Sequence, residues 1–506
     1  MKYLRSLLRI TGLLAAILGI LAGSAALFVF LKVQPSRLQL LMWSGALAAR
    51  YNQAYHTTVS PAEAAEDTQQ FFTMLERVHP EPAGNIGHAA YAALKETALK
   101  EAALLPVKDG EVRVRDLAYL LYKAAAGLKD GHTGIQLQHT PSDDHEKKIY
   151  PPVSLNCVNG GLFIGSHKYN LNGRRLTAVN SVPVREFLRP ILERQSAETA
   201  GYACLRFTMN EAFWWDISGL LSGQDQLTLT TEGQDGKSEN TRLPLLTHAE
   251  FRLLGKTASA RGSAGAAALT LYPEEKTAWF YYPSFQYSDS EKKRISAAFA
   301  AIRKAGVEEL VIDIADNGGG DTRIGDFILT HLTDKPFISF SRVRWKISKE
   351  GLRILRFLAL DTSKVKSRVG EIIESENKEY AHPRPADFFS GKAYLLVSGA
   401  TFSSATDFAT VFRDYGLGKI IGWETGGVPV CFGEAIPLSL PHSRIPFSVS
   451  DKQFFGPKPR PADNLRGVLP DLPVSQVLLK RHRGDLRRAV LRGLLGKRSM
   501  DAVAIK

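Results

Sequence analysis

From Ala278 onward the chain alternates short apolar runs with amphipathic ones, and this alternation restricts that part of it to an α/β core. The pattern predicts a strand at Ala278 to Tyr282, a helix from Glu291 to Ala305 and a strand at Leu310 to Ile314, after which Asn317-Gly318-Gly319-Gly320 opens another helix. A second cycle predicts a strand at Tyr394 to Val397, a helix from Ser403 to Tyr415 and a strand at Lys419 to Ile421. Ser288 and Glu291 are spaced for a capping box. Ile295, Ala298, Phe299 and Ile302 line one helical face before Gly306 stops the helix.

The chain before this core is of other kinds. Residues 61–140 carry helical periodicity, with Phe71, Phe72, Leu75 and Val78 in one stripe and Leu117, Leu120, Leu121, Ala124 and Leu128 in another. His79-Pro80 ends the first of these helices. Residues 148–255 change to short apolar runs between turn residues, such as Leu162-Phe163-Ile164 and Leu227-Thr228-Leu229, and predict a small β-rich module. The Gly-, Ala- and Ser-rich stretch 256–268 reads as the linker to a core over 268–476.

At the amino terminus Lys2, Arg5 and Arg9 precede an uncharged run from Ile10 to Leu31, long enough to span a bilayer. A cleaved signal has a shorter apolar region, and the small residues Ala22 to Ala26 lie inside the run rather than after it. Residues 1–35 are therefore expected to be an uncleaved single-pass anchor in the cell membrane, with the body of the chain on the extracytoplasmic side.

Composition removes several classes. Hydrophobic residues at 44% and charged residues at 23% exclude a disordered chain. Cys157, Cys204 and Cys431 show no CxxC spacing, which excludes a cysteine-rich zinc module and leaves room for one disulfide. The net charge of +13 gathers in two places, 342–368 and the tail 477–506, each with nine Lys or Arg against two acidic residues. Neither carries a zinc-finger or aromatic-basic motif, so nucleic acid is not an expected partner. Within the first, Arg353 and Arg356 alternate with Leu352, Leu355, Phe357 and Leu358, an amphipathic pattern suited to anionic lipid, to a solvated lid or to an oligomer contact.

Three segments carry candidate chemistry. In Ala393 to Gly416 an apolar strand turns through glycine into a helix, with Ser403 at the turn, where free N–H groups and the helix dipole stabilise negative charge. The competing reading is that Thr401, Ser403 or Ser404 caps the helix. The loop Asp316 to Asp321 places consecutive glycines where amides can converge on an anion, but it lacks both nucleotide-binding spellings. His132, in LKDGHTGIQL, has the side chain best suited to activating a serine. The spacings of His132, His139 and His145 fit no metal site, and neither a metal nor any other cofactor is expected.

Asp130-Gly131-His132-Thr133, Asn317 to Gly320, Thr401-Phe402-Ser403-Ser404-Ala405 and Gly467-Val468-Leu469-Pro470-Asp471 occur in this order. Together they resemble the tail-specific or carboxyl-terminal-processing serine peptidase family, in its tricorn-like, histidine-using branch, to which interphotoreceptor retinoid-binding protein is related. The resemblance implies a ClpP/crotonase-like core and a polypeptide substrate cleaved through an acyl-enzyme. It makes Ser403 the nucleophile and His132 the base, with oxyanion donors at the amides of Ser404 and of Gly318 or Gly319. Where other members use lysine this chain has Val428, and where tricorn-like members place glutamate it has Asn464 beside Asp463, either of which is a candidate third member. Asp414 matches a structural partner, and Ala315 stands where relatives usually have arginine. Asn172 to Asn180 resembles a PDZ-like segment weakly. Two alternatives remain open: a non-catalytic peptide- or ligand-binding protein on the same scaffold, and serine chemistry with Lys452 as base.

Overall fold

The computed structural model of the chain describes residues 57–474 apart from 137–147, 159–160, 166–168, 210–223, 234, 248, 252, 254–266 and 358–359. The expected anchor, most of the linker, the basic tail, His139 and His145 lie outside the described residues. Among the described residues no helix is long and apolar enough to cross a membrane. The fold is mixed α/β with several sheets.

β1 (Thr58–Val59) leads into α1 (Pro61–Val78). Ser60 and Glu63 close a reciprocal capping box, and Pro61 sits in the first turn, where its missing N–H has no partner to lose. α2 (His88–Ala102), β2 (Val107–Lys108), β3 (Glu111–Arg113), α3 (Val114–Gly127) and β4 (Gly134–Ile135) follow. The stripes read from periodicity are the buried ones: Phe71, Phe72, Leu75 and Val78 of α1, and Leu117, Leu120, Leu121 and Ala124 of α3.

The next segment builds an antiparallel sheet from β5 (Ser154–Val158), β6 (Gly161–Gly165), β7 (Arg175–Val179), β8 (Val182–Pro183), β9 (Gln226–Glu232) and β10 (Ser238–Pro244), in the order β10-β9-β7-β6-β5 with β8 on β7. Between β8 and β9 run α4 (Val184–Leu192) and α5 (Ala200–Met209). A disulfide from Cys157 on β5 to Cys204 on α5 fixes that helix to the sheet.

The core contains β11 (Ala268–Tyr272), β12 (Thr277–Tyr281), α6 (Asp289–Lys304), β13 (Glu309–Asp313), α7 (Thr322–Leu329), β14 (Arg342–Lys346), α8 (Lys349–Phe357), β15 (Ile372–Glu376), β16 (Lys392–Val397), α9 (Ser404–Asp414), β17 (Lys419–Gly422), β18 (Val430–Ser439), β19 (Pro446–Phe455) and β20 (Leu472–Pro473). One sheet runs β11-β12-β13-β16-β17-β20, parallel except for β11. A parallel sheet must be covered on both faces. Phe280, Ile312 and Leu395 accordingly pack with Phe299 of α6, Ile328 of α7 and Phe408 and Phe412 of α9, while Trp279, Val311, Leu396 and Ile421 form a second apolar layer.

Two features of this topology place the site. β13 and β16 are adjacent and parallel, so the glycine loop after one and the Ser403 turn after the other emerge at the same sheet end. The second sheet, β15-β14-β19-β18, takes β4 onto β19 with Gly134 opposite Ser448, which brings the His132 turn from the amino-terminal region to the core. One local expectation is only half met: the Glu291 N–H donates to Ser288, but the Glu291 carboxylate accepts from the Tyr282 hydroxyl instead of closing the box.

Candidate active site

Ser403 precedes α9 with φ 53° and ψ −132°, a left-handed backbone that residues with a Cβ seldom adopt. Such a conformation persists only where its surroundings over-determine it. Here the Ser403 carbonyl accepts from the Thr406 and Asp407 N–H groups, the Phe402 N–H donates to the Asn317 carbonyl and the Gly426 N–H donates to the Thr401 carbonyl. The Ser403 side chain does not cap the helix. Its Oγ lies 3.1 Å from Nε2 of His132. Thr401 and Ser404 are the structural hydroxyls, donating to the carbonyls of Ile314 and Gly320 and so tying the turn to the glycine loop.

Gly319 has φ +103°, and a Cβ there would stand 2.7 Å from Ser403 Cβ and 2.8 Å from the Phe402 carbonyl oxygen, so only glycine lets the loop lie against the turn. The buried Asn317 braces this loop by donating to the Tyr282 carbonyl at 2.9 Å and accepting from the Gly319 N–H at 2.8 Å. That second bond engages the Gly319 amide and leaves Gly318 as the candidate donor of the expected pair. The N–H groups of Gly318 and Ser404 donate to no other described residue. Together with the amino end of α9 they form a pair of donors free to meet developing negative charge. Ala315 is braced without an arginine, its N–H donating to Asp313 and its carbonyl accepting from Ser398.

His132 is held by a buried carboxylate. Asp130, 1% exposed, accepts from the His132 N–H at 2.9 Å and from Ser450 Oγ at 2.7 Å, and faces Nε2 of His79 at 3.3 Å. Nδ1 of His79 accepts from the Glu81 N–H, so the ring's proton is on Nε2, toward Asp130. Ser448 Oγ donates to the His132 carbonyl at 2.9 Å. The imidazole stacks on Phe402 at 4.7 Å between centroids, and Phe402 stacks on Tyr202 at 4.4 Å. Burial pushes the His132 pKa down, and Arg206 adds to this against the opposing pull of Asp130, so the ring is neutral near pH 7 and able to accept a proton.

The expected third member is not where the resemblance put it. Both oxygens of Asp463 bind Arg413, at 3.1 and 3.0 Å, and one also accepts from the Arg460 N–H. No hydrogen bond joins Asp463 or Asn464 to His132, whose Nδ1 is buried and closes no hydrogen bond of ordinary geometry. The physical reason is the ionic group of Arg413, Asp414, Arg460 and Asp463, which holds this segment to the end of α9 and makes Asp414 a structural partner, as expected. The Lys452 ammonium pairs with Glu434 and lies 5.1 Å over the Trp345 ring, so it is already committed.

A residue that the sequence did not reveal stands beside the imidazole. Glu198, in the turn before α5 and 5% exposed, accepts from the Gly131 N–H at 3.1 Å through Oε1, while its buried Oε2 has no partner. Arg206 of α5 donates to the carbonyls of Gly131 and Ser196. Burial, helped by the Asp130 charge, pushes Glu198 up to about 8. Its only sequence signal is nearness to Cys204. One ligand-type atom each from Asp130, His132 and Glu198 lies within 4.8 Å of the other two. The Asp130 oxygens already serve other donors and the Arg206 charge acts on the same groups, so the cluster suits a proton network better than a dication.

Residues 276–474 match the family model described as Peptidase family S41. Among solved structures the chain is similar to a mutant of CPAF, at 15% identity and a TM-score of 0.59 over 86% of this chain and 96% of that one. It is also similar to mature CPAF complexed with lactacystin, at 14% identity and a TM-score of 0.54 over 86% and 97%. No curated protein matches the sequence. The matched segment contains the glycine loop and the Ser403 turn but begins after His132 and Glu198.

Proposed function

Since the chain is a serine peptidase whose residues 276–474 belong to peptidase family S41, we propose that Ser403 is its nucleophile and His132 its general base, cleaving polypeptide through an acyl-enzyme. The observation that carries this reading is the 3.1 Å approach of His132 Nε2 to Ser403 Oγ across 271 positions of sequence. Ser403 Oγ attacks the scissile carbonyl carbon while its proton passes to Nε2. The oxyanion forms toward the Gly318 and Ser404 amides, and the imidazolium then gives its proton to the departing amine. Water, deprotonated by the same imidazole, hydrolyses the ester and restores Ser403. A purely ligand-binding scaffold has no use for a strained serine aligned with a neutral imidazole, and nothing favours that alternative.

The finer architecture belongs to the same proposal: a ClpP/crotonase-like core, with the sheet of β5 to β10 as a PDZ-like module adding an extended peptide to its edge. The body is held outside the cytoplasm by the Ile10 to Leu31 anchor, a placement supported by the Cys157–Cys204 disulfide, since such bonds persist in oxidising compartments. Treating the full chain with a fluorophosphonate and mapping the adduct by mass spectrometry tests the chemistry. The adduct is expected on Ser403 and not on Ser404, whose hydroxyl is engaged by Gly320 and Thr322. Labelling confined to another serine would remove Ser403 from the mechanism.

Membrane contact is also proposed for α8. Lys349, Arg353, Arg356 and Lys366 border a groove with Leu352 and Val369, and Phe357 beside it is 61% exposed. In the full chain reconstituted into vesicles, trypsin cleavage at Arg353 and Arg356 should be roughly tenfold slower with anionic than with neutral lipid, since each cation near such a surface contributes about 1 kcal/mol. Equal cleavage rates in the two vesicles would favour the solvated lid.

A further inference from the structure

A neutral imidazole that accepts a proton at Nε2 carries its own proton on Nδ1, and that N–H needs an acceptor to set the ring's tautomer and orientation. In His132 this atom is buried and unpaired. Of the expected acceptors, Asp463 is held by Arg413, and neither it nor Asn464 hydrogen-bonds the ring. Asp130, the nearest ionised carboxylate, serves the His132 main chain, Ser450 and His79. The Phe432 main chain also acts on the ring as an acceptor, in a contact outside ordinary hydrogen-bond geometry.

Glu198 has the capacity the imidazole lacks. Its Oε2 is the other buried, unpaired polar atom of this cluster, and its Oε1 is tied to the N–H of the residue directly before His132. Space for the carboxyl exists because residue 131 is glycine: a Cβ there would lie 2.7 Å from Glu198 Oε2 and 2.9 Å from the Phe402 ring. A single guanidinium, that of Arg206, holds the carbonyls of Gly131 and Ser196, so the His132 turn and the Glu198 turn are registered to each other. The disulfide at Cys204 fixes the helix that carries Arg206.

We propose that Glu198 is a positioning residue that accepts the Nδ1 proton of His132 in a hydrogen bond and, as a carboxylate, balances the imidazolium formed during acylation. The inference rests on the Ser403–His132 reading. In the step concerned the Ser403 O–H bond breaks and the Nε2–H bond forms. The Nδ1–H bond stays on the ring, and no proton reaches Glu198. The acid that the resemblance expected near position 464 would thus come from the turn before α5.

The charged and titratable groups acting on this pair are Asp130 from the His132 turn, His79 beyond α1, Tyr202 and Arg206 on α5 and Cys431 on β18. With Glu198 raised to about 8, most of the population is protonated at pH 7 and lacks the compensating charge. The acylation rate should therefore rise in two steps with pH: one below the usual histidine range as His132 loses its proton, and one near pH 8 as Glu198 ionises, with both apparent constants belonging to the coupled pair.

The test measures pre-steady-state acylation of the full chain by an activated ester from pH 5 to 10, in the wild type, Glu198→Gln and Glu198→Asp. Glu198→Gln should lower the acylation rate constant about a hundredfold with little change in ester binding, and should lose the step near pH 8 while keeping the lower one. Glu198→Asp should restore part of both, and the far-downfield Nδ1 proton resonance of His132 should be lost or moved upfield in Glu198→Gln. A two-step profile and rate within threefold of wild type in Glu198→Gln would overturn the assignment and leave Nδ1 to the Phe432 carbonyl. A loss accompanied by altered near-ultraviolet circular dichroism, without rescue by aspartate, would make Glu198 merely structural and overturn it as well. A wild type that never reacts with a fluorophosphonate at Ser403 removes the underlying reading, a result separable from an unchanged Glu198→Gln in a reactive enzyme.

Discussion

Ser403→Ala is expected to reduce kcat/KM for peptide hydrolysis by about 10⁶-fold, His132→Ala by a similar factor, and the double variant by no more than either. The reason is geometric: hydroxyl and imidazole lie 3.1 Å apart and share one proton transfer in the proposed mechanism, so removing either member would remove the whole step. The residual rate would come from substrate binding and from the Gly318 and Ser404 amides, which neither substitution touches. Ser404→Ala serves as the control for the neighbouring hydroxyl. It loses hydrogen bonds to Gly320 and Thr322, worth about 1 kcal/mol each, and should retain activity within tenfold. Lys452→Ala should stay close to wild type because its ammonium is paired with Glu434. Multiplicative losses in the double variant, or a loss that follows Lys452 rather than His132, would transfer the role of base away from the imidazole.

Asp130→Asn should cost about 3–5 kcal/mol of stability and most of the activity, although the two side chains have nearly the same shape. Asp130 joins three segments distant in sequence: it accepts from the His132 main chain and from Ser450, and it faces the buried ring of His79. An amide offers one acceptor where the carboxylate offers two, so it cannot serve the His132 main chain, Ser450 and His79 together. The pH dependence follows from the sign of the shift. Burial raises the Asp130 pKa, but the hydrogen bond and charge of His79, with His132 and Thr133, outweigh it and hold the carboxyl well below its ordinary value of 3.8. A depressed folded pKa gives stability that is fully present above 3.8 and lost as pH falls below it toward the folded value. Denaturant midpoints of wild type and Asp130→Asn should thus differ most near neutrality and converge in acid. A constant difference across that range would mean that the carboxylate's charge plays no part.

The fold and half of the site were legible because they are written in local patterns. The faces of α1 and α3, the strand–turn–helix units around the glycine loop and Ser403, and the β-rich character of the middle segment all follow from periodicities of about 2 and 3.6 residues and from turn residues at their ends. Ser403 could be read as a candidate because its turn is local, yet the same residues also spelled a helix cap. Only the positive φ of Ser403 and the direction of its hydroxyl separate the two readings. The choice between Gly318 and Gly319 has a similar origin. A glycine-rich loop announces free amides, but which of them is free depends on where the Asn317 side chain turns.

By itself the sequence determined the buried faces of α1 and α3, the strand–turn–helix units around the glycine loop and Ser403 and the order of those units, and it singled out two side chains of suitable chemistry, since each depends on neighbours a few positions away. Only the tertiary structure decided that His132 meets Ser403, that Asp463 serves Arg413 instead of the imidazole, and that Glu198 occupies the space beside it. Those outcomes follow from the pairing of β4 with β19, the docking of α5 against β5 and the adjacency of β13 and β16. They are matters of register and packing between segments tens to hundreds of residues apart, where a displacement of a few ångströms exchanges one hydrogen-bond partner for another and leaves no periodic trace in the chain.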